Sequence, residues 1–368
     1  PQRLSQLKKE MGEERFARGE SPLIRGSHWR NFFVKYSESN RMHKKMLALS
    51  RICRERGNPE AARRAIGRAQ CNDAFWHGVF GGLYLRHLRD TNWANLAEAE
   101  GLLRDGEALA WERIDLDLDG HEEIWVHSSF FSAVVSPFRG GVIEELTYFH
   151  KRENLANTLT RRREAYHLLG GEGAPNNSGE ARQESGEGHG DEHSDGTPSI
   201  HDLEEGLRFS QLPPVDREER ALFADRVIAG DLHLHDYERA RYDPLWSWVG
   251  RPMVLREVRQ GDSGVRLIME ALDGPPLMKE IRFHPNGEVE AHFRWDSEGF
   301  PADAFFATEL SLSAPTRLEA DPLARIWRFP ISTFSKSERG FDETVQGEST
   351  TYAWALGLQE ATLTLGPG

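Results

Sequence analysis

The hydrophobic period of this chain changes once, near residue 121. Upstream, apolar residues recur at helical spacing. Downstream, short β-branched and aromatic runs alternate with turn signals. One uniform layer cannot accommodate both periods. The expected class is therefore α+β and multidomain: a helical bundle over residues 1–112, then an antiparallel β-sandwich over 113–368. A length of 368 residues, at roughly 100–200 per domain, suits two domains or three.

In the first part, Gln6 to Arg18 reads as a polar helix, and Asn40 to Arg56 carries Met42, Met46, Leu49 and Ile52–Cys53 on one stripe. Gly57-Asn58-Pro59 ends it, and Pro59 suits the first turn of a helix over Glu60–Ala69. Asn72-Asp73 is placed to cap a third helix through Phe75–Leu88, and Thr91 to Leu103 gives a fourth. In the second part strands are expected at 123–127, 130–135, 142–149, 227–234, 253–258, 265–271, 277–283, 289–295, 309–312 and 350–355. Gly170 to Pro198 has almost no apolar residues and is expected to be a disordered insertion, at about 170–198. No internal repeat is evident.

Composition removes several functional classes. Lys and Arg total 46 against 59 Asp and Glu, a net charge of −13, which argues against general binding of nucleic acid or anionic membrane. Two cysteines exclude a disulfide scaffold, and Cys53 and Cys71 read as buried thiols. No run of 18 apolar residues exists. The opening Pro1-Gln2-Arg3 lacks Met and an apolar signal region, so a cut within a longer protein is the expectation.

The densest constellation is Ala69-Gln70-Cys71-Asn72-Asp73-Ala74-Phe75-Trp76-His77-Gly78-Val79-Phe80-Gly81-Gly82. On a helix, Asp73, Trp76, His77 and Phe80 share one face. A carboxylate accepts bonds from vicinal hydroxyls, an indole lies against the apolar face of a pyranose, and an imidazole donates or accepts. These residues, with Asn72, are the candidate sugar-binding edge. Three glycines suggest close backbone approach. The competing reading makes Trp76 and Phe80 core, His77 a satisfied buried histidine and Asp73 only a cap. Trp29 to Asn40 interleaves aromatics with Arg30, Asn31, Lys35 and Glu38, which suits either a polar cleft or a packed loop.

Asp115-Leu116-Asp117-Leu118-Asp119-Gly120 matches the front of a calcium loop, but Val126 stands where an EF-hand needs Glu. Asp115, Asp117, Asp119 and Glu123 are the candidate calcium ligands; a charged hairpin is the alternative. His233 and His235 on one strand face would suit a metal or a polar sheet face. No phosphate loop, dinucleotide fingerprint, H-E-x-x-H or G-x-S-x-G is present.

Trp29 to Leu47, Ala69 to Leu88 and Pro137 to Leu146, and most specifically Ala69–Gly78 and Thr160-Arg161-Arg162-Arg163-Glu164-Ala165-Tyr166-His167, resemble glycoside hydrolase family 57 enzymes of the 4-α-glucanotransferase/α-amylase type. The resemblance implies the central helical bundle and a C-terminal sandwich similar to galactose mutarotase. The residues matching Asp73 and Trp76 then help form a sugar-binding cleft, and His77 completes the motif. It further implies that an N-terminal catalytic barrel precedes Pro1 and carries the Glu nucleophile and Asp acid/base. No catalytic residue is then assigned in this chain, which alone should bind rather than turn over substrate. The implied partners are an α-1,4-glucan or maltooligosaccharide, the barrel and a second copy in a homodimer; the implied location is cytoplasmic. No cofactor is required, calcium being the one candidate. The alternatives are a stand-alone carbohydrate-binding protein and a mutarotase-like sugar epimerase using its own sheet residues.

Overall fold

The computed structural model describes residues 9–12, 15–16, 31–78, 81–167, 212–337 and 340–367. The 170–198 insertion, Phe80 and most of the Gln6–Arg18 segment lie outside them. Helices α1 (Asn31–Lys35), α2 (Ser37–Glu55), α3 (Glu60–Arg68) and α4 (Arg86–Leu103) precede the sheets. In α2 the expected stripe is buried, with Met42, Met46, Leu49 and Cys53 all inward. Its end is set by Gly57 at φ 80° and Asn58 at φ 56°, a left-handed pair that a helix cannot continue through.

The third expected helix does not form. A short 3₁₀ turn, Asn72–Phe75, is followed by Trp76 in extended backbone at φ −144° and ψ 175°. Gly81 and Gly82 take φ of 82° and 54°, and a second 3₁₀ turn covers Gly82–Tyr84. Glycine lowers helix stability by about 1 kcal/mol against Ala, so three within five positions tip this run toward turns. The last helix starts at Arg86, five residues before the expected Thr91. Cys71 is exposed, not buried, because it sits in the loop before the first turn.

The strands form three antiparallel sheets. The first runs β1 (Ala110–Ile114), β2 (Glu123–His127), β3 (Phe131–Ser136), β4 (Val142–Tyr148) and β5 (Glu153–Asn154) in sequence order. The second has the order β13 (Leu318–Asp321), β16 (Glu360–Leu365), β11 (Val289–Trp295), β10 (Leu277–Phe283), β9 (Gly264–Ala271), β8 (Met253–Gly261). The third is β14 (Arg325–Ser337), β15 (Gly340–Ala355), β12 (Phe305–Leu312), β6 (Ala224–Ile228), β7 (Trp246–Ser247). All three contribute to one core, in which Phe131, Phe283, Phe293, Phe306 and Trp354 are buried. The strand expected at 227–234 stops at Ile228. His233 precedes a five-residue helix, α5 (Leu234–Glu238), and both His233 and His235 are exposed rather than paired on a sheet face.

The helical core is continuous with the first sheet, since Trp125 and Val134 pack into the α2–α4 cluster. Lys45 of α2 crosses that boundary. Its Nζ lies 2.9 Å from Glu100 and 2.8 Å from Glu145, donates to Ser132 Oγ at 2.9 Å and sits 4.3 Å above the Trp125 ring. Lys45 is 1 % exposed, so its removal leaves buried Glu145 without a cation and Glu100 with Arg104 alone. Lys45→Ala is expected to lower unfolding stability by roughly 3–5 kcal/mol, read from urea denaturation. A change under about 1 kcal/mol would place the pair in the class of weak surface bridges.

Candidate functional site

Three segments singled out in the sequence meet at one carboxylate. Glu164 Oε1 accepts from the Tyr36 and Tyr84 hydroxyls, each at 2.7 Å. Its Oε2 accepts from Lys35 Nζ and faces His77 Nε2 at 3.8 Å. Tyr36 and Lys35 come from the aromatic stretch before α2, His77 from the glycine-rich motif and Glu164 from the Thr160–His167 stretch. Burial alone would raise the Glu164 pKa. The donors His77, Lys35, Tyr84 and Tyr36 outweigh it and hold the group at about 2. Glu164 was not singled out as a site residue. Its signal was a lone acid within an Arg run, and only the fold shows what it gathers.

His77 is boxed by ring edges. Tyr36, Tyr84, Tyr166 and Phe32 stand edge-on to it at centroid distances of 5.6, 5.1, 6.0 and 6.0 Å. Trp76, in extended backbone, lines a separate pocket, although Phe32 stands against both rings, 6.3 Å from Trp76 and 6.0 Å from His77 between centroids. The expected single helix face carrying Asp73, Trp76 and His77 is therefore replaced by two sides of one short segment. On Trp76's side lies a pocket of about 200 Å³ lined by Asp73, Trp76, Gly78, Gly82, Leu85 and Leu88. Trp76 is half-buried and Asp73 exposed, so the indole is not entombed. Asn72 is exposed, in the 3₁₀ turn beside this pocket.

The glycines shape this pocket. A Cβ on Gly82 would fall 2.1 Å from the Trp76 carbonyl oxygen, and one on Gly78 3.0 Å from the indole. Beneath the turn, buried Arg89 donates to the Leu83 carbonyl, to Asn157 Oδ1 at 3.2 Å and to Gln346 Oε1 at 2.6 Å. Gln346 Nε2 donates to the Tyr84 carbonyl at 2.9 Å. Burial lowers the Arg89 pKa to about 10, which leaves it charged at neutral pH.

The acidic loop is partly as expected. Carboxylate oxygens of Asp115, Asp117 and Glu123 lie within 4.8 Å of one another. Asp119 falls outside that group: its Oδ1 accepts the His121 N–H and its Oδ2 lies 3.3 Å from Arg139. Arg139 also reaches Asp117 at 3.3 Å. Glu123 accepts the Leu116 N–H at 2.9 Å, yet burial, the largest influence, raises its pKa to about 8.

The third sheet bears directly on the epimerase alternative. Glu309, on its outer face, has both oxygens occupied: Oε1 by Arg220 at 2.8 Å and Ser349, Oε2 by Arg226 and by Tyr237 at 3.0 Å. Burial opposes ionisation, but Arg220 and Arg226 dominate and hold this carboxylate well below its usual range. The segment through Tyr237 and Tyr242 packs over the same face. That face offers no free acid or base at this position.

Comparison with known proteins gives a consistent placement. The sequence profile described as "Alpha-amylase/4-alpha-glucanotransferase, middle domain" matches residues 27–103, and the corresponding C-terminal profile matches 115–317 and 311–365. The 4-alpha-glucanotransferase of Thermococcus litoralis is 34% identical over 390 residues, covering 96% of this chain and 54% of that protein. An alpha-amylase of Pyrococcus abyssi is 33% identical, covering 91% of this chain and 51% of its own length. A crystal structure of the T. litoralis enzyme superposes with a TM-score of 0.73 at 31% identity, over 99% of this chain and 56% of that one. The chain thus spans about half the length of the relatives it matches. Among the described residues, no helix is long and apolar enough to cross a membrane.

Acid should loosen the junction that holds this site. Glu38 is likewise held at about 2: burial raises it, but Arg162 and Arg41 lower it further. Both folded values lie below the unfolded carboxylate value of about 4.3, so the stability these groups add is complete above that value and lost as pH falls through about 2. Urea midpoints are expected to decline steadily from about pH 5 to about pH 2, and less steeply in Glu164→Gln. A flat profile in the wild type would contradict the assignment.

Proposed function

Because the chain belongs to the α-amylase/4-α-glucanotransferase family, we propose that it forms the glucan-binding helical portion and C-terminal sandwich of a retaining enzyme of this type, within glycoside hydrolase family 57. The observation that supports this reading is the half-buried Trp76 indole lining a pocket with Asp73 at its rim. The indole supplies a flat apolar wall for a pyranose, Asp73 accepts from hydroxyls, and Gly78 and Gly82 keep the backbone clear of the ring. In this reading the reacting carboxylates come from a catalytic barrel in the other half of the parent enzyme. One attacks the anomeric carbon and the other protonates the leaving oxygen; transfer to a second glucan or to water then distinguishes transferase from hydrolase. The chain's own residues bind and orient, and positioning of this kind is worth several kcal/mol.

The same reading carries the division at about residue 112, a sandwich of galactose mutarotase type, a cytoplasmic setting and a homodimer as proposals. A stand-alone carbohydrate-binding protein would use the same pocket. Binding of maltooligosaccharide by the chain, followed by Trp fluorescence, tests the common core of both. Trp76→Ala is expected to abolish the signal while leaving the unfolding midpoint within about 1 kcal/mol of wild type. In the full-length parent the same change is expected to cut activity strongly. Undiminished binding in the variant refutes the assignment, and loss of glucan activity only when the barrel is removed separates the enzyme from the stand-alone binder.

We further propose that calcium, where it binds, meets Asp115, Asp117 and Glu123 rather than Asp119. Arg139 competes for the same charge. A higher melting temperature in calcium than in EDTA supports the ion. Equal values leave Arg139 as the loop's cation.

A further inference from the structure

The glycine-rich motif presents Trp76 to the pocket, but its other conspicuous side chain, His77, faces Glu164 instead. Two tyrosine hydroxyls occupy one oxygen of Glu164 at 2.7 Å each. The other oxygen is left to Lys35 and to the imidazole. An ionised carboxylate only accepts, so in a neutral ring the carboxylate favours the proton on the nitrogen that faces it, here at 3.8 Å. That nitrogen is Nε2. Nδ1 then keeps its lone pair, and it is buried with no hydrogen-bond partner. A buried nitrogen left without a donor is costly, and a purely structural histidine is expected to find one. Tyr36 and Tyr84 stand edge-on to the ring, at 5.6 and 5.1 Å between centroids. Phe32 touches both His77 and Trp76, at 6.0 and 6.3 Å between centroids, and rides on a helix with no buried side chain. Phe32 is half-buried and packs on the cluster that holds Tyr36 and Tyr84.

We infer that Glu164 is a positioning residue: it fixes His77 with Nε2–H toward the carboxylate and leaves Nδ1 as an acceptor for a glucan hydroxyl donated beside Trp76. This rests on reading the Trp76 pocket as glucan-binding. The sandwich portion thereby sets the orientation of a side chain that belongs to the helical portion, from 87 residues further along the chain. Binding and orientation are coupled: a sugar hydroxyl reaching Nδ1 displaces Phe32 and finds a lone pair already aimed.

Nitrogen-15 NMR of the histidines in the full chain tests this. His77 is expected as the Nε2–H tautomer without ligand, and its Nδ1 resonance is expected to move as maltohexaose is added, in step with Trp fluorescence. Glu164→Gln is expected to mix the two tautomers and weaken maltohexaose binding about tenfold, the size of one lost hydrogen bond. Glu164→Asp should restore part of the tautomer preference. An Nδ1–H tautomer in the wild type overturns the inference, as does an Nδ1 resonance that stays still while fluorescence reports binding. Wild-type tautomer and affinity in Glu164→Gln overturn it equally. Absence of any fluorescence response removes the pocket reading instead, and the tautomer of the free chain still decides whether Glu164 orients the ring. Should Glu164→Gln fail to fold, Tyr84→Phe removes one donor from the carboxylate and keeps the ring edge, and the wild-type spectra stand alone.

Discussion

Glu164 is a carboxylate with only 4 % of its side chain in water, and an unpaired ion in that setting would destabilise the fold by several kcal/mol. Its donors come from residues 35, 36, 77 and 84, more than 75 residues earlier in sequence. The carboxylate is therefore tolerable only when the loop before α2, the glycine-rich turns and the 160–167 stretch are all docked. The same logic recurs between other layers. Lys279 of β10 meets Asp225 of β6 at 2.8 Å with neither exposed, and Lys45 joins α2 to α4 and β4. Each pair adds little net energy over an apolar equivalent, but any misdocked arrangement leaves a bare charge, so these contacts set the register of the layers.

The turn between Trp76 and Leu85 converts this docking into a pocket. A continuous helix through the motif would have put Trp76 and His77 on one stripe. Left-handed backbone at Gly81 and Gly82 folds the chain back until the Leu83 N–H donates to the Trp76 carbonyl at 2.8 Å. The backbone then passes so close to the Trp76 carbonyl and the His77 Cα that no side chain fits at Gly82. Arg89 and Gln346 grip this turn from below, one from α4 and one from β15. The pocket floor is thus fastened to the sandwich as firmly as to the helices.

What could be read from sequence follows from which residues make one-sided elements. The α2 stripe and the alternation in β10 and β11 were visible because each element has one apolar face and one wet one. Arg325–Ser337 and most of Gly340–Ala355 escape the hydrophobic pattern because many of their buried positions are polar. Thr333, Ser335, Gln346, Ser349 and Thr351 all lie inside; Gln346 donates to Thr333, Ser349 to Glu309 and Thr351 to Tyr237. Hydrophobic period is blind to a strand buried that way. The residue types of the Asp73–His77 edge are legible, but not its geometry, since the glycines break the helix that the spacing implies. The roles of Glu164, Arg89 and Gln346 were not legible at all, because each depends on contacts between segments distant in sequence.

The charge pattern around the pocket also narrows what it suits. Glu164 is matched by Lys35, Glu38 by Arg162 at 2.8 Å, and Arg162 also reaches Glu219 at 3.4 Å. These ions pair with one another, and none of them lines the pocket. The groups left facing outward are an indole, two glycine backbones, two leucines and one rim carboxylate. An anionic ligand would find no cation among them, and a cationic one only Asp73. A neutral ligand with an apolar face and hydroxyls at its edge leaves none of these groups unmatched, and a hexose unit of a glucan has that distribution.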